Sequence, residues 1–126
     1  MATLNKKPYH PIRNQMYAIR GFYEALMFEK SLRIQLGLGI LSIGVSIWQQ
    51  SYLMTFLNFM FAIIVISGEM FNTALERLCD LVQPEKDERV RIIKDIAAAA
   101  VLTLAVGWGS LMIIQFTSIF FNFQLV

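Results

Sequence analysis

Three long apolar stretches dominate the pattern of this chain, at about 32–48, 52–82 and 90–120. A helix of roughly 20 residues rises about 30 Å, which is the thickness of a bilayer's hydrocarbon core. The second and third stretches exceed that length, and the first must borrow its polar flanks. A short uncharged turn at 49–51 separates the first two spans, and Pro84 ends the second. Residues 83–91 form a charged connection of both signs. Ahead of the spans, Met16, Ile19, Tyr23, Leu26 and Met27 recur at helical spacing, while Arg13, Arg20, Glu24 and Lys30 fall on other faces. That pattern predicts an amphipathic helix over about 12–31 in the membrane interface, with Tyr17, Phe22 and Tyr23 as interfacial aromatics. A helix packed on a soluble partner is the other reading, and the apolar run that follows favours the interface. Residues 1–11 read as a loose polar start in which Pro8 and Pro11 discourage helix. The expected architecture is one all-α membrane domain over 1–126, a surface helix followed by three transmembrane helices.

Composition and charge support this picture. The chain has 126 residues, 56% hydrophobic and 16% charged, too little polar surface for a soluble domain of this size. A net charge of +2 gives no case for nucleic acid. The single cysteine, Cys79, allows no internal disulfide and no cysteine-ligated zinc. Residues 1–9 lack the apolar core and small-residue cleavage site of a signal peptide. Lys6, Lys7, Arg13, Arg20, Lys30 and Arg33 precede the first span, and Arg77, Lys86, Arg89, Arg91 and Lys94 surround the second loop. The 49–51 turn and the tail after Lys94 carry no Lys or Arg. The positive-inside bias therefore predicts a cytoplasmic N-terminus and second loop, with Val126 on the opposite side.

Candidate chemistry lies on the second span. Glu69, Asn72, Thr73, Glu76 and Asp80 fall at offsets 0, 3, 4, 7 and 11, which trace one helical face. An ionisable group at membrane depth costs a few kcal/mol or more. A polar seam between helices would need only one Asn or Thr. Repeated carboxylates repel each other unless a cation sits among them. Magnesium, which takes a few carboxylates together with phosphate oxygens and water, is the natural partner. Glu69 and Glu76 are about 10 Å apart along the axis, so they divide the work. Glu76 would hold metal and nucleotide phosphate, and Glu69 would meet a hydroxyl brought up from the membrane. Arg91 and Lys94 stand one turn apart at the start of the third span. Lys94 suits phosphate oxygens and Asp95 would orient it, while plain positive-inside anchoring remains open for Arg91. The alanines at 97–100 allow close helix approach. Glu29, one turn before Arg33, either completes a metal site with Glu76 or is a solvated charge. There is no GxxxxGK[ST] loop, and His10 is the only histidine, which removes HExxH and leaves a Ser-His-Asp triad dependent on a residue in the loose N-terminal stretch.

The stretch Gly68-Glu69-Met70-Phe71-Asn72-Thr73-Ala74-Leu75-Glu76, with Asp80 beyond, resembles the E-x-x-N-[ST]-A-[IL]-E-x-x-x-D signature of the bacterial diacylglycerol kinase and undecaprenol kinase family. Lys94-Asp95-Ile96-Ala97-Ala98-Ala99-Ala100 resembles its second motif, and Tyr17-Ala18-Ile19-Arg20-Gly21 and Glu29-Lys30-Ser31-Leu32-Arg33 look like its N-terminal pieces. The resemblance covers nearly the whole chain. It implies a homotrimer in the bacterial inner membrane that moves the γ-phosphoryl of ATP to a lipid hydroxyl with Mg2+. By position, Glu69 would be the general base and Asn72 would support the site. Glu29 and Glu76 would bind metal. Lys94, held by Asp95, would contact phosphate, with Arg91, Arg13 and Tyr17 near the nucleotide. Arg33 and Gln35 would meet the lipid headgroup. His10, Phe28 and Gln35 stand where many relatives have Arg, Asn, and an acidic residue or His. The 72–74 segment and the alanine run look more like the undecaprenol-type members, with diacylglycerol as the alternative acceptor. From another class, a non-catalytic membrane subunit or a small cation channel lined by the acidic stripe would also use these features.

Overall fold

A computed structural model describes residues 11–121. The polar start with His10, Lys6 and Lys7, and the end of the chain at Val126, lie outside the described residues. Those described are all-helical, with α1 at Pro11–Phe28, α2 at Lys30–Trp48, α3 at Tyr52–Val82 and α4 at Glu88–Phe121. α2, α3 and α4 are long and apolar enough to cross a membrane.

The helix ends follow from local chemistry. Pro11, expected to discourage helix, instead opens α1, because the first helical residue needs no N–H partner. The surface helix expected over 12–31 is shorter. Glu29 adopts an extended backbone (φ −101°, ψ 114°), so Lys30 and Ser31 belong to α2. Gln50 turns the chain with a φ of 57°, a left-handed conformation that side chains other than glycine tolerate poorly. Ser51 then caps α3, its hydroxyl accepting from the Met54 N–H at 3.3 Å. At the far end, the Gln83 N–H closes on the Cys79 carbonyl at 2.9 Å and Pro84 follows. Asp87 starts α4. Its carboxylate accepts from the Arg89 N–H at 2.8 Å and its carbonyl from the Arg91 N–H at 3.1 Å.

α3 packs against α2 and against α4. Its buried positions are Met54, Asn58, Ala62, Val65, Glu69 and Thr73, a spacing of three and four that defines one continuous face. Ala62, Val65 and Trp108 form the apolar centre, flanked by Phe61, Leu104, Leu111 and Met112. Gly39 lets α2 come close, since a Cβ there would lie 3.3 Å from that of Ala62 and 3.4 Å from the Trp108 ring.

Nearer the 49–51 turn, the centre is polar. Asn58 and Gln115 are fully buried. The Asn58 amide donates to Gln115 Oε1, Ser46 Oγ and the Met54 carbonyl, each at 3.0 Å. Trp108 Nε1 donates to Asn58 Oδ1 at 3.2 Å. Gln115 in turn donates to Ser46 Oγ at 2.8 Å, and to the Ser42 carbonyl and Gln49 Oε1 at 3.2 Å. One network therefore ties α2, α3 and α4 together. Asn58→Leu strands polar atoms on Gln115 and Trp108, and interhelical bonds of this kind contribute about 1–2 kcal/mol at most. The variant should lose about that much stability in reversible unfolding in bicelles. Gln115→Leu in the Asn58→Leu background should cost much less than it does alone, because the partners are shared.

Candidate functional site

Glu69 continues the buried face of α3, eleven residues beyond Asn58, and is only 9% exposed. Three helical turns bring both residues back to the same side. The Gln35 amide on α2 donates to Glu69 Oε1 at 2.5 Å. Turning that amide over would set two oxygens against each other, so the carboxylate fixes its orientation. Gly68 lets α4 close over this level, as a Cβ there would meet Leu104 Cδ1 at 2.8 Å. One turn toward the 83–87 loop, Asn72 donates to Glu76 Oε1 at 3.0 Å. Thr73 is buried beside them. Among the described residues, Gln35 Oε1 and Asn72 Oδ1 are buried and find no hydrogen-bond partner. Two such acceptors are satisfied by water, a donor or a cation from outside the chain.

The cation partners differ from those expected. Lys94 does not rest on Asp95. Its ammonium reaches across to Asp80 Oδ1 at 2.5 Å, joining the start of α4 to the end of α3. Asp95 accepts from Arg91 at 2.6 Å, and Arg91 also bonds Glu88. The reason is geometric. Successive residues point about 100° apart on a helix, so Lys94 and Asp95 cannot share a face, whereas Arg91 and Asp95, four apart, can. Glu29 and Glu76 each hold a partner of their own. Arg77 Nη2 lies 3.6 Å from Glu29 Oε1, and its guanidinium sits 5.7 Å from the centre of the Phe28 ring. No group of three or more carboxylate, histidine or cysteine side chains converges as a metal cage among the described residues.

Arg33 is not turned to the lipid level. It donates to the carbonyls of Met27 at 2.8 Å and Leu26 at 3.4 Å, capping the end of α1. Arg13, half-buried, and Tyr17, exposed, lie toward the start of α1, whose one buried residue is Ala25. Tyr17 is eight residues from Ala25, hence about 12 Å along the axis, and Arg13 is farther. The structure thus groups Gln35, Glu69, Asn72 and Glu76 and ties Asp80 to Lys94, while leaving Arg13 and Tyr17 apart. Gln35 is found as the partner of Glu69, and Arg77, counted in the sequence only as a positive charge beside the loop, is found on Glu29.

A cavity of about 570 Å3 opens between the end of α3 and the start of α4, with Asp80, Lys86, Asp87, Glu88, Arg91 and Lys94 among its walls. On its rim the Asp87 carboxyl is held down to about 2, from 3.8, first by the Arg89 guanidinium and then by the Arg89 backbone N–H. A carboxyl depressed by folding stabilises the folded state above its ordinary value and loses that contribution as pH falls toward the lower one. Asp87→Ala should therefore speed amide exchange over 88–91 at neutral pH. The difference from the parent should shrink as pH falls from about 4 to about 2, compared at matched pH.

Three helices of spanning length, with amides paired to carboxylates at two depths along α3, define an integral membrane protein with a polar cluster inside its bundle. A family model described as prokaryotic diacylglycerol kinase matches residues 16–116, and the chain belongs to that family. It is a membrane-bound lipid kinase, a phosphotransferase. The match runs from the middle of α1 into the last part of α4 and includes the whole carboxylate face. A comparison with curated proteins finds no match.

Proposed function

We propose that this chain transfers the γ-phosphoryl group of ATP to the hydroxyl of a membrane lipid, with magnesium, on the cytoplasmic side of a bacterial inner membrane. The observation that carries the reading is Glu69, a buried carboxylate held by Gln35 at the lipid-facing end of a polar face that emerges toward the loop at Glu76 and Asp80. ATP is water-soluble and the acceptor is not, so the reaction needs groups at both depths. Glu69 takes the proton from the lipid hydroxyl. The oxygen attacks the γ-phosphorus, the bond to the ADP oxygen breaks, and ADP leaves.

Glu29, Glu76 and the unfilled Asn72 Oδ1 are hard oxygen donors suited to magnesium completed by phosphate oxygens and water. Bound there, the ion would neutralise charge on the phosphates, which is most of what phosphoryl transfer asks of a protein. Asn72 steadies Glu76. Lys94 exchanges Asp80 for phosphate, and Arg91 and Asp95 frame the nucleotide end. Arg13 and Tyr17 join the nucleotide only if α1 bends toward the 83–87 loop.

Undecaprenol is the favoured acceptor and diacylglycerol the alternative. Each acceptor brings a single O–H, which Glu69 takes, so the buried acceptor oxygens do not separate them, and the preference rests on the 72–74 segment and the alanines at 97–100. α4 buries only 11% of its apolar window within one chain, leaving broad faces for two further copies in a homotrimer. The charged loop belongs in the cytoplasm by the positive-inside bias.

The test is ATP-dependent phosphorylation by the purified chain in lipid, with undecaprenol and diacylglycerol offered separately. Undecaprenol should be phosphorylated faster, and chelating magnesium should stop the reaction. Glu69→Gln should lower the rate about 10²- to 10⁴-fold, the usual contribution of a general base. Full activity in Glu69→Gln and Glu76→Gln, with fold intact, would remove the assigned roles.

A further inference from the structure

Arg77 follows Glu76 on α3 and reaches the junction of α1 and α2, touching Glu29 at 3.6 Å and the Phe28 ring at 5.7 Å. The junction is the one extended residue between two helices. α1 has no basic residue in its last turn, so the negative end of its dipole takes its cations from elsewhere, Arg33 on α2 and Arg77 on α3. α1 buries a single residue, and Arg77 and Glu29 are both partly exposed. An ion pair in that setting is weak and open to exchange. A divalent cation on Glu29 would stand within a few ångströms of the guanidinium. Two cations at that distance repel, and the doubly charged one has the stronger hold on the carboxylate.

We propose that Arg77 is the counter-ion of Glu29 in the metal-free protein and that a divalent cation displaces it, loosening the hold of α3 on the α1–α2 junction. The inference rests on the reading of Glu29 as a metal ligand. Arg77 is then a positioning residue. It keeps the Glu29 carboxylate in place before metal arrives and sets the end of α1 free when metal binds. Phe28 belongs to the device, because its ring gives the guanidinium a second contact that metal loading removes together with the ion pair.

The experiment uses the full chain in lipid nanodiscs with Mn2+ alone, without nucleotide or lipid alcohol. Bound Mn2+ is followed by paramagnetic resonance and backbone exchange at residues 26–30 by mass spectrometry. In the parent, exchange at the junction should rise in step with Mn2+ saturation. Arg77→Gln should exchange fast with or without Mn2+ and bind it roughly two- to fivefold more tightly, the range of an exposed ion pair. Arg77→Lys, which keeps the charge, should restore the parent affinity. Mn2+ binding in the parent with no change at 26–30 overturns the proposal without any variant. Equal tightening by Arg77→Gln in a Glu29→Gln background also overturns it, since that is a general charge effect. Unchanged Mn2+ binding in Glu29→Gln removes both the proposal and the metal role of Glu29. Phosphoryl transfer measured on that same variant separates this result from a failure of the kinase reading.

Discussion

A polar group inside a bilayer must find its partner within the protein, and the bundle is organised around that requirement. Asn58 is the hub. It touches α4 through Gln115 and Trp108 and α2 through Ser46, and Gln115 returns to α2 at Ser42 and Gln49. Apolar packing alone would not select this arrangement, because lipid tails solvate leucine as well as another helix does. Satisfying an amide is different, since few arrangements of three helices bring these donors and acceptors together. The close approach at Gly39 and the position of Trp108 follow from the same contact.

The buried face of α3 serves two purposes along its length. At Asn58 every strong group is paired and the result is cohesion. At Glu69 and Asn72 the pairing is incomplete, with carbonyl oxygens of Gln35 and Asn72 left over. Incomplete pairing is costly in a membrane and is where an incoming molecule can contribute. The step from one regime to the other takes eleven residues on one helix, with Ala62 and Val65 as the apolar divider. Family membership and this gradient agree, since a lipid kinase needs a rigid frame and an unfinished site within one short chain.

Much of this was legible in the amino-acid order. Spanning lengths and the alignment of Glu69, Asn72, Glu76 and Asp80 on one face follow from periodicity, which survives any detail of packing. Partner choice did not. Proximity in sequence pairs Lys94 with Asp95, but adjacent residues on a helix diverge, and the partner in the structure, Asp80, lies on another helix. Gln35 could not be joined to Glu69 without the crossing of α2 and α3. The Asn58 network does not stand out among the charged residues, although its signal is in the sequence. Asn58 sits at the same helical phase as Glu69, and Gln115 is the lone amide of the third apolar stretch.

The Asn58 network also distributes stiffness. Near the 49–51 turn the three helices are laced by several hydrogen bonds, each needing its angle kept. Toward the 83–87 loop, α2 and α3 share the Gln35–Glu69 bond and the weak Glu29–Arg77 ion pair at the start of α2, and α4 is fastened to α3 by Lys94 on Asp80. The bundle is built like tongs, riveted at one end and sprung at the other. Small separations of the free arms leave the riveted end undisturbed, so the proposed meeting of a lipid hydroxyl with Glu69 would open the bundle only from its sprung end.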